Sequence, residues 1–213
     1  MPPNIKPAQV LDVINSFLRV IIEQVWYYSE VYPKESFDEY VFYDIQVFSC
    51  RHPQVIAYLD ALSDNTLTLM KDGIISKIFL EIYHRNKRLS SVAFSFNNSL
   101  IFEQLKNDPQ FYNVDNDLFD SFELIVQWKS LLFSIISDMS MKRIDLGEDI
   151  AEFKFIISTS TNDDLSSEGN WIFERSLNHS RSNSESTFGE VDVRPMKNIF
   201  LGYINLKSYI AYH

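Results

Sequence analysis

The sequence predicts an α+β domain in which helices pack on an antiparallel sheet, and three observations carry that reading. Two long segments place apolar residues at three- and four-residue steps, as an amphipathic helix does. One segment, Lys77 to Phe96, alternates in character on both sides of a polar tip, as a β-hairpin does. The order helix, helix, hairpin, helix, strand is then that of an α+β fold. With 213 residues and 46% hydrophobic content, the chain is long enough for one well-packed domain and short for two.

Each element has its own warrant. From Ala8 to about Tyr32, Val10, Leu11, Ile14, Phe17, Leu18, Ile21, Ile22 and Val25 recur with helical period. Pro7 sits where a first turn tolerates it, and Pro33 is expected to end the helix by pushing Tyr32 toward extended geometry. Phe37 to Phe48 alternates loosely in aromatic and β-branched residues and reads as an extended segment containing a strand. Pro53 can open a second helix to about Lys71, with Val55, Ile56, Leu59, Leu62, Leu67 and Met70 inward and Asp72-Gly73 as its stop. Asn97 to Asn116 reads as polar and irregular. Asp117 to about Met139 is apolar nearly all round and so predicts a central, covered helix. Ile150 to Ser158 sets Phe153, Phe155 and Ile157 against Glu152 and Lys154, which predicts a sheet strand.

After Thr159 the character changes. Thr161 to Asn170 and Leu177 to Glu190 are rich in Ser, Asn and acidic residues, and they flank the apolar island Trp171-Ile172-Phe173. These read as loops around an anchor. Val191 to Tyr212 returns to strand-like alternation. Such a tail fits a movable wrapping segment and equally an ordinary terminal hairpin.

Composition narrows the function. No apolar run approaches the roughly 18 to 20 residues of a membrane span, so a soluble protein without a membrane partner is expected. The start, MPPNIKPAQVLD, has no secretory h-region. The single cysteine, Cys50, fits a reducing compartment, cytosol or nucleus. A net charge of -10 removes the counterion-release term that supplies most non-specific DNA affinity, so direct nucleic-acid binding is not expected. The basic run His84 to Arg88 reads as a solvated turn. The five glycines form no phosphate-cradling loop, and His52, His84, His179 and His213 are dispersed, so no cofactor and no metal site is expected. Cys50 has no sequence-level activator, and carboxylates such as Asp163-Asp164 and Glu148-Asp149 read as solvated charge. The pattern is that of a binding protein and not of an enzyme.

The stretch Trp26 to Leu59 says which kind. It runs helix, Val31-Tyr32-Pro33 stop, extended aromatic segment, Arg51-His52-Pro53 and second helix within 34 residues. This punctuation resembles the HORMA domain family, closest to the non-catalytic HORMA subunit of translesion DNA polymerase zeta. The likeness is best there, fair over the hairpin and the Asp117 helix, and thin from Arg194 to Tyr212. It implies a HORMA fold with three main helices on an antiparallel sheet, a β-hairpin and a C-terminal safety belt, in one domain 1–213 with core 1–159 and belt 160–213. The belt of such proteins crosses a short proline-containing peptide, which physically is β-augmentation with a lid.

The resemblance also implies residues, partners and a place. Tyr58 and Trp171 would hold prolines of the peptide supplied by the catalytic subunit of polymerase zeta. Val193, Lys207 and Tyr209 would meet the C-terminal domain of the deoxycytidyl-transferase scaffold protein, although Lys207 stands where the family often has an uncharged polar residue. A HORMA–HORMA dimer through the Asp117 helix uses an arginine in the family, and the matching position here is Gln127. The role would be bridging during bypass of damaged templates in the nucleus. Spindle-checkpoint and meiotic HORMA switch proteins, which act by open/closed conversion, share the architecture and are the alternative.

Overall fold

The computed structural model describes residues 4–5, 7–108, 119–142, 151–159 and 191–213. In chain order the elements are β1 (Asn4–Ile5), α1 (Pro7–Tyr28), β2 (Phe37–Phe42), β3 (Ile45–Cys50), α2 (Pro53–Lys71), β4 (Ile75–His84), β5 (Lys87–Ser95), α3 (Leu100–Asn107), β6 (Phe119–Asp120), α4 (Ser121–Met141), β7 (Glu152–Thr159), β8 (Asp192–Pro195), β9 (Ile199–Leu201) and β10 (Ile204–Tyr212). The main sheet has the order β7-β4-β5-β10-β8, with β9 beside β10. Its pairings are antiparallel. β2 with β3, and β1 with β6, form separate antiparallel pairs.

One sheet face supplies Ile78, Leu80 and Ile82 of β4, Val92 and Phe94 of β5, and Leu206 and Ile210 of β10. These merge with Ile14, Phe17 and Ile21 of α1 and with Leu124, Trp128, Leu131 and Ile135 of α4 into one core. Each such side chain contributes about 1.5 to 3 kcal/mol by leaving water. Side chains alternate along a strand, so the opposite face carries the intervening residues. There the cross-strand register aligns Ile156, Phe79, Ala93, Tyr209 and Pro195.

The α+β class, the second helix from Pro53 to Lys71 and the hairpin follow the sequence expectation. Four elements differ. α1 stops at Tyr28 and not at Pro33, because Glu30 takes a left-handed backbone (φ 53). Its N–H donates to the Tyr27 carbonyl and the Val31 N–H to that of Trp26, the paired bonds of a Schellman stop. α2 ends the same way with Gly73 (φ 68), whose N–H donates to the Met70 carbonyl while that of Ile74 donates to Leu69. A Cβ at Gly73 would lie 2.4 Å from the Phe102 carbonyl oxygen of α3, so this stop demands glycine where the other tolerates glutamate.

Phe37 to Phe48 is a complete hairpin. Tyr43 and Asp44 (φ 46 and 64) form its turn, as Arg85 and Asn86 (φ 49 and 63) do for the larger hairpin, and positive φ at both central residues is what a type I′ turn requires. The stretch expected to be irregular contains α3, a short helix beside the three main ones. Its entry is tied to distant partners: the Ser99 hydroxyl donates to the Asn205 carbonyl (2.7 Å), and the Ile101 N–H to that of Tyr203 (3.1 Å). Finally, Phe119 and Asp120 pair with β1, so α4 begins at Ser121, later than Asp117.

Candidate functional site

An aromatic cluster joins the end of α1, the start of α2 and β7. Trp26 is fully buried at its centre. Tyr32 meets its ring edge-on at 5.5 Å, Phe153 of β7 does so at 5.4 Å, and Tyr58 stacks on it at 6.3 Å between centroids. The Schellman stop produces this arrangement, since it folds Val31 back over Trp26 and brings Tyr32 down beside it. Pro53 opens α2 at its first turn. Five residues on, Tyr58 stands at the margin of the helix's packed face and stays 49% exposed.

A groove of about 450 Å³ opens at Tyr58, lined also by Tyr32, Pro33, Cys50, His52 and Val55. Beneath it, α1 side chains stitch β3 to the helix. The Gln24 amide donates to the Phe48 carbonyl (2.9 Å) and accepts from the Phe48 N–H (3.1 Å). The Glu23 carboxylate accepts from the Ser49 hydroxyl (2.7 Å) and the Cys50 N–H (3.0 Å). Burial nonetheless pushes the Glu23 carboxyl up, outweighing those bonds. Burial likewise raises the Tyr58 and Tyr32 hydroxyls, which therefore remain neutral donors at pH 7.

The groove thus offers aromatic faces, polar tips and a neighbouring strand. β7 pairs with β4 and terminates the described strand order on this side. Such a combination suits a peptide that adds to a sheet margin and sets proline or apolar side chains on aromatic rings. Among the described residues no group of three or more His, Cys, Asp and Glu could hold a metal ion. No described helix is long and apolar enough to cross a membrane. Cys50 is buried at 2% exposure.

Of the residues singled out in the sequence, Tyr58 lies in this site. Trp171 and the two loops around it fall outside the described residues, as does the rest of the chain from 160 to 190. Val193, Lys207 and Tyr209 come together elsewhere. Tyr209 sits across from Pro195, Ala211 from Val193, and Lys207 lies two residues along, so all three share the outward sheet face. Val193 is 56% and Tyr209 38% exposed. Gln127 is engaged within the chain: its amide donates to Glu123 (3.1 Å) and accepts from the Phe200 N–H (3.2 Å). Sequence reasoning missed Trp26, Tyr32 and Phe153 as a unit. The four-residue step Leu18, Ile22, Trp26 marks Trp26 as inward-facing, but nothing local ties it to α2 or β7.

No family model matches the chain, and no curated protein matches it by sequence. Solved structures match it by fold. A chain of a mitotic checkpoint complex superposes with TM-score 0.70 at 11% identity, covering 95% of this chain and 98% of that one. HTP-2 of C. elegans bound to the HIM-3 closure motif gives 0.64 at 14%, covering 98% and 92%. HTP-1 of C. elegans bound to HTP-3 motif-1 gives 0.64 at 14%, covering 97% and 91%. The chain has the HORMA fold, its helices packed on an antiparallel sheet. At these identities the likeness is one of fold.

Proposed function

We propose that this chain is a peptide-capturing HORMA subunit, and specifically the accessory, non-catalytic subunit of DNA polymerase zeta in translesion synthesis. A proline-containing peptide of the catalytic subunit adds along β7 with its side chains against Tyr58, and belt 160–213, with Trp171, closes over core 1–159. Each new backbone hydrogen bond contributes only about 0.5 to 1.5 kcal/mol, so the aromatic anchors supply selectivity. The outward face bearing Val193, Lys207 and Tyr209 then meets the C-terminal domain of the deoxycytidyl-transferase scaffold protein, in the nucleus. The observation that carries the capture reading is the half-exposed Tyr58 ring stacked on Trp26 beside Phe153 of β7. The Val31-Tyr32-Pro33 and Arg51-His52-Pro53 punctuation supports the polymerase assignment.

Binding of a proline-containing segment of the catalytic subunit tests it, comparing wild type with Tyr58→Ala and Trp171→Ala. Loss of binding in both is expected; retention in both removes the site assignment. A second reading is a checkpoint or meiotic switch that captures a closure motif by open/closed conversion. It is supported by the neighbours that were solved with such motifs bound. Two separable monomer species populated without ligand would favour it over the polymerase assignment.

A further inference from the structure

The C-terminal strands are fastened to α4 along one stripe. The Lys142 ammonium donates to Asp192 (2.8 Å), the Arg194 guanidinium donates to Asp138 (2.8 Å), and the Ser134 hydroxyl donates to the Met196 sulfur (3.3 Å). On the helix these partners step by four residues, about 6 Å of rise. On the strand they step by two, about 6.7 Å. The two repeats nearly match, so alternate residues of the strand segment find partners on successive turns of an antiparallel helix. Arg194 also donates to Asp192 through Nε and Nη2 (3.0 and 2.9 Å), and the Tyr212 hydroxyl of β10 donates to the second oxygen of Asp138 (2.7 Å). The Lys142 ammonium lies 3.9 Å from the Tyr212 ring centroid.

We propose that Asp138 and Asp192, with Lys142, Arg194 and Tyr212, form an ionic latch that holds β8 and β10 on α4 and sets how fast this strap peels from the sheet. Its strength comes from placement. Asp138 is only 13% exposed and accepts from both strap strands, while Asp192 and its cations are 35 to 44% exposed and are screened by salt. Resting on the peptide-capture reading, the latch would govern release of the guest, since a wrapped peptide leaves only when its strap opens.

Hydrogen exchange of the free full-length protein tests the latch. In Asp138→Asn, which keeps the side-chain shape, amides of β8 and β10 should exchange on the order of tenfold faster, the loss of one charge-assisted bond network. Amides of β4 should keep their protection. Lys142→Gln should give a smaller change in the same direction. Raising salt from about 0.1 M to about 1 M, which shortens the screening length from about 10 Å to about 3 Å, should speed strap exchange in wild type more than in Lys142→Gln, which lacks one of the screened pairs. Unchanged strap exchange, acceleration spread equally over β4, or equal salt response would each overturn the latch. A proline peptide of the polymerase-zeta catalytic subunit that fails to bind wild type would instead remove the capture reading, and the exchange data would still judge the latch.

Discussion

The two margins of the main sheet are built from opposite chemistry. On the inward face beside β7 the contacts are aromatic, centred on fully buried Trp26. Beside β8 and β10 they are ionic and partly wet, centred on Asp138 and Asp192. An apolar margin holds a guest by area and shape, almost independently of salt. An ionic margin holds with strength that solvent conditions tune. On the capture reading, a sheet that grips on one side and unfastens on the other would separate affinity from release.

The largest effect that would sharpen this contrast is at the aromatic margin. Trp26→Ala should cost about 3 to 5 kcal/mol of folding stability, as for any large buried aromatic, and denaturant unfolding reads it. A loss under about 1 kcal/mol would mean the cluster is not part of the core. Next comes Tyr58→Ala, which should weaken peptide binding by about 2 kcal/mol, near thirtyfold, while stability changes little because the ring is half exposed. Calorimetric titration and melting on the same samples would separate the two.

A smaller effect distinguishes the margins by pH. Hydrogen bonds from Lys142, then from Arg194, hold the Asp192 carboxyl below its usual range near 4. A depressed carboxylate contributes stability above its unfolded pKa and loses it as pH falls through the folded value. Strap amides should therefore lose protection, few-fold, below about pH 4 before those of β4 do. Alkali is less discriminating, because burial raises Tyr58 on one margin and Tyr212 on the other. Smallest of all is Lys207→Gln on the outward face, expected to shift stability by less than about 0.5 kcal/mol. Anything larger would place Lys207 in the fold's support and not on a contact surface.

Strong periodicity made much of this architecture legible. α2 and β7 bury one face at a single period and the β4–β5 hairpin is marked by its polar tip, so the sequence alone locates them. α4, expected to be covered nearly all round, buries one face and leaves Phe122, Val126 and Phe133 exposed. The other failures share a cause, since each depends on partners far along the chain. α3 has Ile101 and Leu105 at helical spacing, yet its entry is satisfied by Tyr203 and Asn205, about a hundred residues on. The β2–β3 turn uses Tyr43-Asp44 where a glycine would have announced it. Glu30 ends α1 in a conformation that Glu seldom adopts. Of the candidate site, Tyr58 was legible through family resemblance, whereas its seat on Trp26 and Phe153 required the fold. The latch carboxylates had no local signature at all.

The most direct test of the central claim is amide exchange in β7, Glu152–Thr159, with and without a proline-containing peptide from the polymerase-zeta catalytic subunit. A strand added at this margin should slow exchange of the β7 amides that point away from β4, and Tyr58→Ala should abolish the slowing. Protection that appears only in other elements, or none at saturating peptide, would contradict capture at β7.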